Sequence, residues 1–226
     1  MHLISIAHSL TLFATAAYAN TEKVIFSAPP AISIPDTGPS LETLQLVSLS
    51  AKSSKERLSL AVNFPSEEQP RGLESWYLLR DLSPTQRYEV RVCWAAIQPT
   101  TFWLDTYTVD HVFDTPPLVQ SLAAFSLVRQ EPNSQLLTGG HTGSDQESLL
   151  FLRLQAAADF FSSNTTLMQD PPPVDIDLIL DPYLGNIFPR SLLPTGIYIV
   201  LLAIGGWWVS GVIWKQYFTP EKERKD

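Results

Sequence analysis

The chain has very little cysteine and little charge. Its 226 residues include one cysteine, Cys93, so neither a disulfide framework nor a cysteine-ligated zinc or iron–sulfur site is predicted. Charged residues make up 17% of the sequence and hydrophobic residues 45%. This balance is too apolar for a disordered chain and too polar for a protein with many membrane spans. The net charge of −8 disfavours a general nucleic-acid binder.

Charge is missing altogether from the first 19 residues, which contain no Lys, Arg, Asp or Glu. The stretch from Leu3 to Ala17 is mostly apolar and leads into the small-residue pattern Ala17-Tyr18-Ala19. We therefore expect a secretory signal that is cleaved between Ala19 and Asn20. The alternative is an uncleaved signal anchor.

A second charge-free stretch runs from residue 191 to residue 214. At a rise of about 1.5 Å per residue, a helix of this length crosses a hydrocarbon core of about 30 Å. Basic residues follow it, which predicts a cytosolic tail over residues 215–226. Residues 20–190, with a net charge of −9, then lie in the lumen as the body of a type I single-pass protein. A buried helix of a soluble protein is the alternative.

Strand patterns dominate the predicted lumenal part. Tyr88–Trp94 alternates with period 2, which places Tyr88, Val90, Val92 and Trp94 on one face. Strands are also expected over Trp76–Leu82 and Thr101–Val109, with proline-containing turns between them. The fold class is therefore predicted to be mainly β, a sandwich with one C-terminal transmembrane helix.

The pattern L-x-P-x-x-x-Y-x-V-R-V, from Leu82 to Val92, resembles the E–F corner and F strand of a fibronectin type III domain. The resemblance implies an immunoglobulin-like or fibronectin III-like sandwich over residues 20–115. It also implies that Tyr88 is a structural corner, with its hydroxyl bonded to upstream backbone. Any other antiparallel sandwich that turns a corner with Pro and Tyr is the alternative.

Residues 116–190 form the remaining lumenal part and lead to the membrane. We expect them to be mostly extended, with apolar runs over Leu118–Val128 and Ser148–Phe161. Val174–Leu180 alternates again, with Asp175 and Asp177 pointing outward. These residues form either a second small β unit or strands that complete the first sandwich, and the sequence leaves both open.

Candidate chemistry in the lumenal part is sparse. Asn164-Thr165-Thr166 is an N-x-T sequon, so Asn164 is a predicted glycosylation site. Asp110 precedes His111, and Ser144 and Asp145 follow His141, but no nucleophile elbow accompanies them. We predict no catalytic residue, no metal site, no cofactor and no small-molecule substrate.

The apolar stretch and the tail carry two further patterns. Gly206 and Ser210 form a small-xxx-small pair, which lets another helix approach closely, so we expect a partner helix there. Lys222 and Arg224 stand fifth and third from the C-terminus and resemble the K-x-K-x-x retrieval signal of endoplasmic-reticulum (ER) membrane proteins.

Together these features predict a non-enzymatic accessory or scaffolding subunit of the ER membrane. It would hold another membrane protein through its lumenal sheets and its span. A cell-surface adhesion or recognition protein is the first alternative, and a lumenal hydrolase is the second.

Overall fold

The computed structural model describes residues 20–33, 41–129 and 146–218. Its strands are β1 (Thr21–Ser27), β2 (Ile32–Ser33), β3 (Val47–Leu49), β4 (Lys55–Leu60), β5 (Leu73–Leu79), β6 (Arg87–Trp94), β7 (Thr100–Tyr107), β8 (Gln146–Glu147), β9 (Leu150–Ala158), β10 (Val174–Leu184) and β11 (Phe188–Pro189). Its α-helices are α1 (Val109–Asp114), α2 (Pro116–Arg129), α3 (Thr165–Gln169) and α4 (Leu193–Phe218), with short 3₁₀ turns at Leu41–Leu44 and Arg190–Leu192. By contacts the chain divides into two units, Met1–Pro182 and Tyr183–Asp226.

The first unit is built on two main sheets. Sheet I has the strand order β1-β6-β10-β4, and every neighbouring pair is antiparallel. Sheet II has the order β3-β5-β9-β7, with β3 and β5 parallel and the other pairs antiparallel. Strands β2 and β8 form a small separate pair. The mainly β prediction for this part of the chain is confirmed.

The inner faces of the two sheets share one hydrophobic core. Alternate residues of β10 point into it, from Val174 through Ile176 and Leu178 to Leu180, and each is at least 97% buried. Sheet I adds Tyr88, Val90 and Val92 from β6, and sheet II adds Leu152 and Leu154 from β9 among others. The alternation predicted for β6 and β10 is therefore confirmed, and it arises because one face of each strand packs against the opposite sheet.

Strand β9 is covered on both faces. Its inner residues join the shared core, while Phe151 on the outer face packs with Trp76, Leu118 and Leu122 beneath α1 and α2. This double cover explains its nearly continuous apolar sequence, LFLRLQAAA. Both β9 and β10 come from residues 116–190 and pair with strands from residues 20–115. Of the two arrangements left open by the sequence, the described structure has strands that complete one pair of sheets.

The chain passes from sheet II to sheet I at a corner between β5 and β6. There the buried Tyr88 hydroxyl accepts a hydrogen bond from the Ser83 backbone N–H at 2.9 Å. The same hydroxyl lies 3.2 Å from the Gln86 side-chain oxygen, to which it donates. Tyr88 also stacks on Phe26 of β1, with ring centroids 5.9 Å apart. The tyrosine thus ties the corner to the upstream backbone and to the edge strand.

The structure corrects the prediction of extended chain over residues 109–129, which are mainly helical. The expected strand Thr101–Val109 ends at Tyr107, and Thr108 caps α1 by accepting from the His111 N–H. The run Leu118–Val128, expected to be extended, is the helix α2. Its two prolines lie in the first turn, where a missing N–H costs no hydrogen bond. Its outer face is apolar too, so the sequence lacks the amphipathic period that marks a helix.

The second unit contains the end of β10, the short strand β11 and the helix α4. Tyr183 and Leu184 pair with Pro189 and Phe188 in a tight hairpin. Gly185 and Asn186 occupy its turn with φ of +56° and +59°. A 3₁₀ turn over Arg190–Leu192 then leads into α4.

One glycine in the first unit allows two strands to pack closely, and it gives a test of the fold. Gly72 precedes β5 with φ of +71°, and a Cβ there would lie 2.0 Å from the Ala156 carbonyl oxygen. We expect Gly72→Ala to lower the free energy of unfolding by about 3 kcal/mol or more, because left-handed strain adds to a clash with backbone. Denaturant or thermal unfolding measures this loss.

Gly185→Ala is the matched control, because Gly185 also has positive φ but has no atom within 4 Å of the added Cβ. It should cost only the left-handed strain, about 1–2 kcal/mol. Equal losses in the two variants would contradict the close approach of β5 and β9.

Candidate partner-binding surfaces

The most exposed apolar surface in the described structure is the helix α4. The segment Arg190–Gln216 is long and apolar enough to cross a membrane, and none of it is buried within the protein. Its 26 helical residues extend about 39 Å at about 1.5 Å per residue, against a hydrocarbon core of about 30 Å. Leu201, Trp207 and Trp208 on this helix are each more than half exposed. A surface of this composition is stable only against lipid or another protein.

One side of α4 carries small residues. Gly206 and Ser210 are one helical turn apart, and Ala203 lies just before them on the same side. A Cβ built at Gly206 would meet no atom within 4 Å. Another helix could therefore approach the backbone closely along this side.

A second apolar surface lies on α2. Its inner residues Leu118 and Leu122 are buried on sheet II, but Leu127 and Val128 are 65% and 72% exposed. No charged residue occurs from Pro116 to Val128. We call the outer side of this helix, with the exposed Phe113 of α1, the α2 face; its other exposed members are Pro117, Gln120, Ala123 and Ala124.

Polar contacts fix α2 in its orientation. The Trp76 indole N–H donates to the Ser121 hydroxyl at 2.9 Å, and that hydroxyl donates to the Glu74 carboxylate. Gln155 of β9 donates to the other Glu74 oxygen at 2.7 Å. Because Ser121 lies on the inner side, this chain of hydrogen bonds resists a rotation that would bury Leu127. The α2 face is therefore held outward.

Beside α2, the outer surface of sheet II carries charged and aromatic side chains. Arg153 donates to Asp105 at 2.8 Å and lies over the Tyr107 ring at 5.3 Å. Arg71 lies over the Trp103 ring at 5.6 Å. The charges of this group pair with one another, so it forms a polar border to the apolar α2 face.

The largest pKa shifts belong to groups with structural contacts. Hydrogen bonds from Arg57 and then Lys55 lower the pKa of Asp177 to about 2, and burial raises the pKa of Tyr77 to about 12. Each group keeps one charge state through the physiological range, so neither is poised to exchange a proton near pH 7. Because the pKa of Asp177 is lowered, its ion pairs stabilise the fold above about pH 4 and lose that effect as the pH falls towards 2.

The acidic residues of β10 and Cys93 make ordinary structural contacts. Asp177 pairs with Arg57 at 2.8 Å across β10 and β4, and Asp181 lies 3.8 Å from Arg91. Across residues 20–33, 41–129 and 146–218, no three His, Cys, Asp or Glu residues are grouped to hold a metal. The Cys93 thiol is half-buried between β1 and β10 and accepts a hydrogen bond from the Thr21 hydroxyl at 3.6 Å.

The predicted site residues belong to different parts of the chain. Asn164 is exposed at the start of α3, and Tyr88 is buried at the corner. Gly206 and Ser210 belong to the second unit, and Asn20 is the first residue of the described structure. Four further residues fall outside the described ranges, namely Ala19 of the predicted cleavage site, Lys222 and Arg224 of the retrieval-like tail, and His141.

The α2 face was missed in the sequence analysis. The available signal was the absence of charge across the thirteen residues from Pro116 to Val128. Such a run normally indicates a fully buried element, and the sequence alone cannot show that half of it faces outward.

Comparison with known proteins identifies the family. The family described as "Pga1: GPI-Mannosyltransferase II co-activator" matches residues 10–211, which include both main sheets, α2 and most of α4. The chain is also 24% identical over 124 residues to the protein named GPI mannosyltransferase 2 subunit C167.09 of Schizosaccharomyces pombe. That alignment covers 54% of this chain and 47% of the relative, so the chain spans about half the length of this curated relative.

No solved structure matches the chain significantly. The resemblance to fibronectin type III domains therefore stays a prediction that rests on the corner motif. The family match covers nearly nine-tenths of the sequence and both described units. The chain belongs to the Pga1 family of GPI-mannosyltransferase II co-activators.

Proposed function

We propose that this chain is a non-enzymatic subunit of GPI mannosyltransferase II in the ER membrane. The observation that carries the proposal is the family match, which extends from residue 10 to residue 211 and so includes both main sheets of the first unit and most of the apolar helix. The relative from Schizosaccharomyces pombe is named as a subunit of the same enzyme. Neither the adhesion protein nor the hydrolase is favoured by these matches.

In this proposal α4 crosses the membrane once, residues 20–190 lie in the lumen and the tail is cytosolic. Lys215 at the end of α4 and the basic residues that follow support this orientation. The acidic body, with a net charge of −9, suits the aqueous lumen rather than the surface of an anionic membrane.

Two surfaces contact the catalytic subunit in this account. Within the bilayer, the side of α4 with Gly206 and Ser210 packs against a helix of the partner, since apolar side chains alone give no preference for protein over lipid. In the lumen, the α2 face contacts an apolar segment of the same partner.

Charge favours a different polypeptide, rather than a second copy or a lipid surface, on the α2 face. The exposed Asp110 and Asp114 border Phe113, and α1 and α2 carry no Lys and one Arg, Arg129, which ends α2 and lies over the Phe125 ring. Helices that bind membrane surfaces usually carry Lys and Arg on their polar side. A second copy would bring the same acidic border against itself. The partner segment should therefore be apolar with basic residues at its margins.

Replacement of Gly206 tests the contact within the membrane. We expect Gly206→Leu to reduce co-purification of GPI mannosyltransferase II activity with the tagged full-length chain by about tenfold, because the added side chain holds the helices apart. The measurement is activity recovered per tagged chain from membranes solubilised in mild detergent.

Gly211→Leu is the matched control, since Gly211 lies about 140° round the helix and is equally open. It should leave co-purification unchanged. Equal loss in both variants would contradict a contact specific to one side, and no activity with the unaltered chain would contradict the proposed function itself.

A charge on the α2 face tests the lumenal contact. Leu127→Glu should reduce co-purification by about tenfold or more, because a carboxylate would be desolvated against an apolar partner. Ile97→Glu is the control, as Ile97 is 89% exposed in the turn between β6 and β7.

A photo-crosslinking residue at Ala124, which leaves the rest of the face intact, should in addition join the chain to the catalytic subunit. If Leu127→Glu co-purifies normally and Ala124 forms no crosslink to that subunit, then the α2 face is not the lumenal contact.

A further inference from the structure

Among the described residues of the first unit, the most exposed aromatic side chain lies three residues before the sequon. Phe161 is 89% exposed, whereas its neighbour Phe160 packs edge-on against Phe64 at 5.1 Å. The order is Phe161-Ser162-Ser163-Asn164-Thr165-Thr166. Phe161 takes no part in the shared core, the α2 face or the corner.

The sequon is open in the folded protein. Asn164, Thr165 and Thr166 are all exposed at the start of α3. The Asn164 side-chain oxygen accepts a hydrogen bond from the Thr166 N–H at 3.0 Å. A glycan is attached through the side-chain nitrogen Nδ2, so the modification and this hydrogen bond can coexist.

We propose that Asn164 carries an N-linked glycan whose first N-acetylglucosamine packs on the Phe161 ring. A β-linked N-acetylglucosamine has one face of C–H bonds, which suits the electron-rich face of an aromatic ring. In this arrangement the Phe161 ring contacts the chain's own glycan, and the sugar covers an apolar ring that is otherwise exposed to water.

The covalent step needs a lumenal donor, a polyprenyl-diphosphate-linked oligosaccharide. Nδ2 of Asn164 forms a bond to C1 of the first sugar and loses one proton. The bond from C1 to the diphosphate oxygen breaks, and the polyprenyl diphosphate leaves with the electron pair. The step requires only the lumenal orientation proposed above, not the mannosyltransferase assignment.

Two preparations separate the proposed contact from the rest of the glycan. On the full-length protein from a host that makes high-mannose glycans, endoglycosidase H leaves one N-acetylglucosamine on Asn164, and expression with N-glycosylation blocked by tunicamycin leaves Asn164 bare. We expect the single-sugar form to melt about 2–4 °C above the bare form, the shift typical of one side-chain contact in a domain of this size. Phe161→Ala should abolish this difference.

Phe113→Ala is the matched control, because Phe113 is an exposed phenylalanine of the same unit far along the chain from the sequon. It should keep the full difference between the two forms. Ile97→Ala should keep it too, although Ile97 lines an apolar cleft of about 330 Å³ together with Leu167 of α3.

Three results would overturn the proposal. The first is an Asn164→Gln protein that migrates like the unaltered chain, which would show that no glycan is attached. The second is a melting difference that persists in Phe161→Ala. The third is a difference lost in Ile97→Ala, which would place the sugar in the cleft. None of these bears on co-purification of the mannosyltransferase, so the proposed function is tested separately.

Discussion

Burial of one face of β9 and one face of β10 in the same core is the constraint on which the fold of the first unit depends. Each strand is flanked on both sides by strands from the first half of the chain. The core therefore forms only when sequence positions 44 to 124 residues apart have come together, among them Tyr77 and Leu152. A fold with so many non-local pairs is expected to form slowly.

The packed core of the first unit, with its polar contacts to α2, keeps the apolar α2 face exposed. Trp76, Ser121 and Glu74 fix α2 from below, so that its charge-free outer side remains available. In the second unit α4 exposes an apolar surface throughout its length. Both surfaces lack charged side chains, so binding a partner there would not require charged groups to be desolvated. Charged residues elsewhere form ion pairs, such as Arg57 with Asp177.

Strands could be predicted from the sequence where apolar and polar residues alternate with a clear period. Val90 and Val92 alternate with Glu89 and Arg91, so β6 was predicted to within one residue, and β10 was predicted by the same reasoning. The helix α2 was missed because its two sides are almost equally apolar, and the pairing of β9 with β5 and β7 has no local signal. Gly206 and Asn164 came from short motifs, whereas the α2 face required the position of Leu127 in three dimensions.

We propose that this chain supports the mannosyltransferase without itself performing the transfer. The most direct measurement is GPI mannosyltransferase II activity in ER membranes from cells that lack the chain, with the catalytic subunit held at its normal level. The account predicts that the activity is lost and that the full-length chain restores it when it is re-expressed. Full activity in membranes without the chain would contradict the account.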